Sequence, residues 1–214
     1  RQINQAIRII LLLVIPAVVG LIILSDVAYG SLFGLNNIEV TSSLLAWYAP
    51  VSLLFALFTV SSAILQGINE QRFAVVSLSA GFFIKLLLNI QLIHMFGPKG
   101  AIFGTGLAAG TAITLNLWRI HQTYDFSYRQ SFKRMQLILI LTALMTVAVL
   151  ILKYLMGLIF SYETNRLHAF MTLIICVIGG GSIYLWLAYK STLMERILGG
   201  RIHLLDKIFQ KRRG

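Results

Sequence analysis

Six long runs of apolar residues, separated by shorter polar segments, follow one another along this chain. At about 1.5 Å of rise per residue, a helical run of about 20 residues crosses a hydrocarbon layer about 30 Å thick. The pattern therefore predicts an all-α integral membrane protein whose six transmembrane helices pack as antiparallel neighbours. The predicted helices are Gln5–Asp26, Ser43–Gly67, Phe73–Phe96, Lys99–Thr123, Phe132–Phe160 and Leu167–Lys190. Val27–Ser42, with its Gly and Asn residues, and Tyr124–Ser131 are predicted as the longer loops.

The composition excludes an ordinary water-soluble enzyme. Of 214 residues, 58% are hydrophobic and 12% charged, and the mean hydropathy is +0.84, whereas soluble domains usually carry about 25% charged residues. The single cysteine, Cys176, lies within an apolar run, so this chain cannot build a disulfide framework or a thiolate metal cluster. Because Arg1 rather than Met stands a few residues before the first span, without a signal-peptide pattern, we expect a fragment of a longer protein.

The formal net charge of +11 is unevenly distributed between the two sides of the predicted spans. Of 18 basic residues, 14 fall on one side. They are Arg1, Arg8, Arg72, Arg119, Arg129, Lys133, Arg134, Lys190, Arg196, Arg201, Lys207, Lys211, Arg212 and Arg213. The other side holds Lys99, Lys153 and Arg166, and Lys85 lies within a span. By the positive-inside rule both chain ends are cytoplasmic, so the basic surplus indicates membrane topology rather than nucleic-acid binding.

The segment 191–214, after the last predicted span, has a different pattern. Its apolar residues form one stripe flanked by basic residues if the segment is helical. The stripe consists of Leu193, Ile197, Leu204, Leu205 and Ile208. Two interpretations stay open: an interfacial helix on anionic lipids of the cytoplasmic leaflet, or a frayed basic tail that only fixes orientation.

Lys85 is the charged residue at membrane depth, and such charges are costly in hydrocarbon. It lies 13 residues after Arg72, or about 19 Å along a helix, which is beyond the reach of a lysine stem. Asn89, four residues later, shares its face. Because all seven acidic residues fall in loops, at helix ends or in the tail, the counter-charge is expected from a carboxylate outside this chain or from an anionic substrate. Loss of the charge through a lowered pKa is the third possibility.

Polar residues on the neighbouring spans are expected to face the same space as Lys85. In the second span, four residues share one face at the helical period: Ser52, Thr59, Ser62 and Gln66. In the fourth span, Thr105 and Asn116 are 11 residues apart, close to whole turns. Hydroxyl groups in membrane helices more often bond to their own backbone than to ligands, so packing is the alternative interpretation.

Other motifs carry little chemistry. Gly104-Thr-Gly-Leu-Ala-Ala109 matches a dinucleotide fingerprint, but no strand precedes it and no acidic residue follows at the required distance. The four histidines lie at membrane edges without metal-ligand spacing. We therefore predict no catalytic residue, metal or cofactor. Pro16 is expected to kink the first helix.

Three segments of the chain resemble a known family. Thr59-Val-Ser-Ser-Ala-Ile-Leu-Gln-Gly67, Lys85-Leu-Leu-Leu-Asn-Ile-Gln-Leu-Ile93 and Gly97-Pro-Lys-Gly-Ala-Ile-Phe-Gly-Thr105 are similar to the polysaccharide-export and MurJ-type lipid II flippase group, and more narrowly to its stage V sporulation protein B branch. Ile15-Pro-Ala-Val-Val-Gly-Leu21 and Leu32-Phe-Gly34 are similar to the start of that family's ninth helix. The resemblance covers most of residues 5–123 and, by hydropathy alone, the last two spans.

The resemblance implies a MATE-like protein of fourteen helices, of which these six are the ninth to fourteenth. Residues 1–123 then form part of the second lobe, 124–190 two additional helices and 191–214 the cytoplasmic tail. The missing N-terminal helices are implied as a partner. The implied groove for a lipid tail is lined by residues of the last two spans: Gly157, Gly179, Gly180 and Gly181.

The resemblance further implies translocation of an undecaprenyl-pyrophosphate-linked precursor, lipid II or a related lipid-linked oligosaccharide, across the bacterial cytoplasmic membrane by alternating access. Some family members hold sodium beside the location of Lys85, Asn89 and Thr105, but a lysine is not a sodium ligand. The hypothesis is that the Lys85 ammonium replaces the ion or meets the pyrophosphate. Two alternatives stay open: a multidrug or cation antiporter of the related fold, and a non-transporting scaffold for cell-wall enzymes.

Overall fold

The computed structural model describes residues 2–34, 38–123, 129–159 and 166–191, and the described part is helical with short turns. Its seven helices are α1 (Gln2–Ile23), α2 (Ser25–Phe33), α3 (Ile38–Gly67), α4 (Gln71–Phe96), α5 (Pro98–Thr123), α6 (Arg129–Ile159) and α7 (Arg166–Lys190). Six of them, all except α2, contain stretches long and apolar enough to cross a membrane. The predicted all-α membrane architecture is thus confirmed.

The clearest difference from the prediction lies between the first two spans. Much of Val27–Ser42, expected as a loop, is helical: α2 occupies its first part, and α3 begins at Ile38 rather than Ser43. The first span ends at Ile23, three residues early, and Leu24 is a turn. The tail 192–214 and the segment 124–128 lie outside the described residues.

The helices pack in an order that differs in part from their order in sequence. The α4–α5 and α6–α7 pairs form the predicted hairpins, whereas α5 packs between α3 and α4 along most of its length. Next, α3 packs on α1, α1 on α6, and α2 on α7. Within the described residues α5 and α6 do not touch, so the two halves are joined by α1, which packs on α3 and α6, and by α2, which packs on α3 and α7.

Close packing of α5 on α4 depends on two glycines. A Cβ atom at Gly81 would clash with the carbonyl oxygen of Ala108, and one at Gly100 would clash with that of Leu92. Without side chains at these positions, the two backbones approach closely, as small residues allow in membrane helices.

The larger apolar core lies between α1, α6 and α7, where Leu12, Ile138, Val149, Cys176 and Tyr184 are buried. A smaller core closes the end of the α3–α4–α5 group around Leu65, Ala74 and Ile120. Large apolar side chains elsewhere on α4 and α6 are exposed, as expected for surfaces that meet lipid or further helices.

Two basic residues that sequence reasoning placed at the outer edge hold the α1–α2 break together. The Lys153 ammonium on α6 binds Asp26 at 2.7 Å and donates to the carbonyl oxygen of Ile23 at 3.0 Å. On α7, Arg166 donates from Nε to the carbonyl of Ser31 at 2.9 Å and from a terminal nitrogen to that of Leu32 at 2.5 Å. The ends of α1 and α2 are thereby satisfied by side chains more than 120 residues away.

Candidate functional site

A polar-mouthed groove of about 430 Å³ runs between α3 and α4. We call it the α3–α4 groove. Its lining residues are Phe58, Ser62, Gln66, Gln71, Arg72, Ala74, Val75 and Leu78. The polar side chains Gln66, Gln71 and Arg72 are exposed at its mouth, near the ends of α3 and α4 that the charge distribution predicts to be cytoplasmic. Two of the predicted site residues, Ser62 and Gln66, therefore line one groove.

Lys85 extends the polar character of this surface deeper into the bundle. It follows Leu78 by seven residues, two helical turns, and so lies on the same side of α4 as the groove. Its side chain is half-buried. Within the described residues no hydrogen bond or ion pair of Lys85 is found, so its ammonium is not capped by a nearby carbonyl.

Asn89, one turn beyond Lys85, carries a polar atom without a partner. Its Oδ1 is buried and accepts no hydrogen bond within the described part of the chain. The same oxygen faces α5, where it lies 3.1 Å from the position that a Cβ at Gly104 would occupy. Burying an unsatisfied amide oxygen costs free energy, so this oxygen, at the contact of α4 with α5, is a second polar group near Lys85 without a partner in the described residues.

The structure places Asn116 inside the helix bundle rather than on a groove wall, with 0% of its surface exposed. Its amide nitrogen donates to the hydroxyls of Ser61 and Ser62 on α3, each at 3.1 Å. Its Oδ1 accepts a hydrogen bond from Ser77 on α4 at 2.5 Å. We call these four residues the α3–α4–α5 polar cluster. Ser62 and Asn116 are thus brought together as expected, but their hydrogen bonds join helices.

The three remaining polar residues bond to their own helices. The hydroxyl of Thr59 donates to the carbonyl of Phe55 at 2.8 Å, and that of Ser52 to Ala49 at 2.6 Å. Thr105 donates to Ala101 at 2.9 Å. Thr59 is exposed, whereas Ser52 and Thr105 are half-buried. Because each hydroxyl donates its proton to a backbone carbonyl, only its lone pairs are available to another group.

A second groove, of about 380 Å³, lies between α1, α6 and α7 and is lined almost wholly by apolar atoms. We call it the α1–α7 groove. Leu13, Pro16 and Leu21 contribute from α1, and Val177 and Gly181 contribute from α7. The family resemblance implied a lipid-tail groove near the last two spans, but it did not indicate the substantial share that α1 contributes to the α1–α7 groove.

The four glycines predicted for that groove take different places. Gly181 lines the groove, and a Cβ there would meet nothing within 4 Å. Gly179 and Gly180 instead face α6, because a Cβ at Gly179 would lie 2.8 Å from Leu152 and one at Gly180 would clash with Val149. Gly157 is exposed and lines a separate surface depression beside Lys153. The geometry therefore leaves Gly181 in the α1–α7 groove and assigns Gly179 and Gly180 to helix packing.

Sequence reasoning missed Ser61 and Ser77 of the polar cluster. Ser77 belongs to a stripe of small residues, Ala74, Ser77 and Gly81, at helical spacing on α4. Such a stripe marks a close helix contact, and a serine within it is a signal for an interhelical hydrogen bond. Ser61 carries no comparable signal, because only the packing shows that both adjacent serines reach Asn116 on α5.

These features define a multi-pass membrane protein with a polar-mouthed groove beside a half-buried lysine and a separate apolar groove. The chain belongs to the lipid II flippase MurJ family, whose family model matches residues 1–175. It is 41% identical over 204 residues to the lipid II flippase MurJ of Bacillus subtilis (strain 168), covering 94% of this chain and 38% of that protein. No solved structure matches.

A second relative is the probable low-salt glycan biosynthesis flippase Agl15 of Haloferax volcanii. It is 30% identical over 122 residues, which cover 56% of this chain and 26% of that protein. The chain thus spans less than half the length of either relative.

Proposed function

We propose that this protein acts in a flippase that moves a lipid-linked cell-wall or glycan precursor across the cytoplasmic membrane by alternating access, without making or breaking covalent bonds. Family membership and the names of both relatives support a flippase. A lipid II-like precursor is the substrate class we favour, with a pyrophosphate-linked polysaccharide precursor as the nearest variant. The antiporter and scaffold alternatives gain no support from either relative.

The observation that carries this proposal is the presence of two different grooves on one helix bundle, one with polar and basic side chains at its mouth and one lined almost wholly by apolar atoms. The α3–α4 groove offers Arg72, Gln66 and Gln71 at its mouth, groups that suit an anionic, hydroxyl-rich head group. The α1–α7 groove offers apolar side chains along α1 and α7, which suit a hydrocarbon chain. An amphiphilic substrate needs both surfaces, whereas a small cation needs neither an apolar groove nor an arginine.

In this proposal, the predicted site residues have different roles according to their position along the transport path. Gln66, Ser62 and Thr59 form the wall along which the head group passes, with Ser52 further along the same face of α3. Lys85 and Asn89 lie deeper in the bundle than the groove lining, and there the Lys85 ammonium acts as a built-in cation within the transporter wall. Thr105 and Asn116 support the wall from α5. Gly181 keeps the α1–α7 groove open for the lipid chain.

The orientation is proposed from charge. By the positive-inside rule, the basic excess favours an arrangement with both chain ends in the cytoplasm, and this arrangement has the mouth of the α3–α4 groove on the side where cytoplasmic precursors are made. The basic segment 191–214 is proposed to rest on anionic lipids, and further helices of the same transporter are proposed to complete the path.

The proposal is tested by filling the apolar groove with a side chain. The full-length product of the gene is reconstituted in vesicles containing a fluorescent polyprenyl-pyrophosphate-linked precursor, and head-group movement is followed with a membrane-impermeant quencher. We expect Gly181→Leu to slow flipping at least about tenfold, since this occupies the lipid-chain surface. Gly110→Leu is the matched control, because a Cβ at Gly110 also meets nothing within 4 Å but lies on α5.

Equal flipping by both variants would contradict the assignment of the lipid chain to this groove. Transport of a cationic dye driven by an ion gradient, without movement of the precursor, would favour the antiporter. Absence of any transport by wild-type protein that still binds cell-wall enzymes would favour the scaffold.

A further inference from the structure

The positive charge of Lys85 has no compensating carboxylate in the described part of the chain. Two acidic side chains are described there, and both are engaged: Asp26 with Lys153 at 2.7 Å and Glu70 with Arg119 at 2.8 Å. Lys85 is 14 residues from the start of α4 and 11 from its end, or at least about 16 Å from either. Since a lysine stem cannot span that distance to water, the ammonium needs a counter-charge at its own depth.

Asn89 gives an independent indication that a group is missing at this place. Its buried Oδ1 has no donor within the described residues, although Lys85, one turn away on the same side, has three N–H groups to give. An ammonium held at this level by a carboxylate can direct a second N–H to the amide oxygen. One acidic side chain would therefore satisfy both residues.

The surroundings of Lys85 indicate what carries that carboxylate. Along the same side of α4, Val75 is 65% exposed, Leu78 53% and Phe82 57%. Lys85 therefore lies within an exposed apolar surface, and the binding of a small polar solute to the lysine would leave the apolar side chains exposed. Apolar side chains around one half-buried charge fit an apolar helix that bears one acidic residue. This chain covers 38% of the length of the Bacillus subtilis relative. That relative therefore contains further chain that can supply such a helix.

We propose that the side of α4 formed by Leu78, Phe82 and Lys85 is the docking surface for a membrane-spanning helix from outside residues 1–214. That helix carries an aspartate or glutamate at the depth of Lys85, and the two form an intramembrane ion pair. This inference deepens the proposed function by naming the partner of Lys85 in the transporter wall. It places the built-in cation between two helices and leaves the head group to the groove mouth.

The first test is the thermal stability of the full-length gene product, purified in detergent without substrate. Lys85→Met strands the partner carboxylate, so we expect the melting temperature to fall by at least about 5 °C. Lys190→Met is the matched control, because Lys190 lies at the end of α7 over the Trp186 ring and is expected to change the melting temperature by less than about 2 °C. An unchanged or higher melting temperature in Lys85→Met would overturn the proposal, since an uncompensated lysine is itself destabilising.

The second test identifies the partner. In the Lys85→Glu background, each acidic residue in the other membrane-spanning segments is changed to lysine, and the melting temperature is measured. One of these exchanges is expected to restore the melting temperature, and it identifies the partner residue. Changing that partner to its neutral amide in the Lys85→Met background is expected to recover most of the melting temperature lost in Lys85→Met. Failure of every exchange would overturn the ion pair.

A substrate-dependent result would also overturn the ion pair. If the precursor stabilises wild-type protein but leaves Lys85→Met unaffected, and no acidic exchange restores stability, the counter-charge is the head group. Flipping and the Gly181→Leu defect are measured separately, so the docking surface and the flippase proposal fail independently.

Discussion

Asn116 shows how one polar side chain can fix three membrane helices relative to one another. It lies on α5 and hydrogen-bonds to Ser61 and Ser62 on α3 and to Ser77 on α4. The four side chains are buried, with Ser77 and Asn116 at 0% exposure. Since α3 and α4 share little direct packing, this polar cluster connects them through α5.

Asn116→Val is therefore expected to lower the free energy of unfolding by about 1–3 kcal/mol, because three hydroxyls lose their interhelical partner. Ser77→Ala, which removes one hydrogen bond, is expected to cost about 0.6–1.7 kcal/mol. Thermal unfolding in detergent measures both. Thr114→Val is the control on the same helix, because the Thr114 hydroxyl is exposed and bonds within α5 at 2.8 Å. A loss in the control equal to that of Asn116→Val would show that the polar cluster adds nothing specific.

Pro16 and Tyr184 form a pair that only the structure reveals. Proline has no N–H, so the carbonyl of Leu12, four residues earlier, loses its helical donor. The Tyr184 hydroxyl on α7 donates to that carbonyl at 2.8 Å, within the buried core. The helix irregularity created by Pro16 is thus compensated by a residue on a distant helix.

Tyr184→Phe is expected to cost about 1 kcal/mol in a chain that retains Pro16. In a Pro16→Ala background the backbone N–H of residue 16 becomes a donor to Leu12, so the same change is expected to cost less. A double-mutant cycle in thermal unfolding measures the difference. Equal costs in the two backgrounds would mean that the hydroxyl and the proline are not coupled.

At the scale of elements, α2 depends on contacts from the far end of the chain. The three donor positions of the Lys153 ammonium are occupied by both oxygens of Asp26 and the carbonyl of Ile23, and Arg166 caps the last carbonyls of α2. The side chain of Lys153 is 19% exposed and that of Asp26 36%, so water compensates the pair only in part. The break between α1 and α2 is therefore fixed in one geometry by α6 and α7.

Lys153→Met is expected to destabilise the protein by about 1–2 kcal/mol, because it leaves the Asp26 carboxylate and the Ile23 carbonyl unpaired. The double variant Asp26→Asn with Lys153→Met is expected to lose less than the single variant. Thermal unfolding in detergent compares the two. A double variant less stable than Lys153→Met would show that Asp26 acts through contacts other than this ion pair.

The long helices were predictable because spanning a bilayer demands a length and an apolar composition that the sequence displays directly. Helix α2 was not predictable from its own nine residues, which are of mixed character. It is stabilised by Arg166, which lies 135 residues after Ser31 in the sequence. The same limit applies at the candidate site. Helical periodicity predicted that Ser62 and Asn116 face the same space. It could not predict that Gly180 faces Val149 while its neighbour Gly181 faces the α1–α7 groove.

For the whole molecule, orientation in the membrane is the property that decides which groove opens to which compartment. Lys99, Lys153 and Arg166 lie on one side, and two of them are held in place: Lys153 by Asp26 and Arg166 by the α2 carbonyls. The larger basic group on the other side includes Arg72 at the mouth of the α3–α4 groove. If the positive-inside rule holds, this mouth opens to the cytoplasm.

Single-cysteine labelling of the full-length gene product in intact cells tests that orientation, starting from a variant in which Cys176 and every other cysteine are replaced by alanine. Gln71→Cys and Gln122→Cys, both at exposed positions on the basic side, are expected to react with a membrane-impermeant thiol reagent only after the cells are opened. Pro98→Cys, at the opposite ends of the helices, is expected to react in intact cells. A variant that retains only Cys176 is the control, since Cys176 is 0% exposed and is expected to stay unlabelled in both conditions. Labelling of Gln71→Cys in intact cells would invert the topology, and the mouth of the α3–α4 groove would then release a head group rather than receive it.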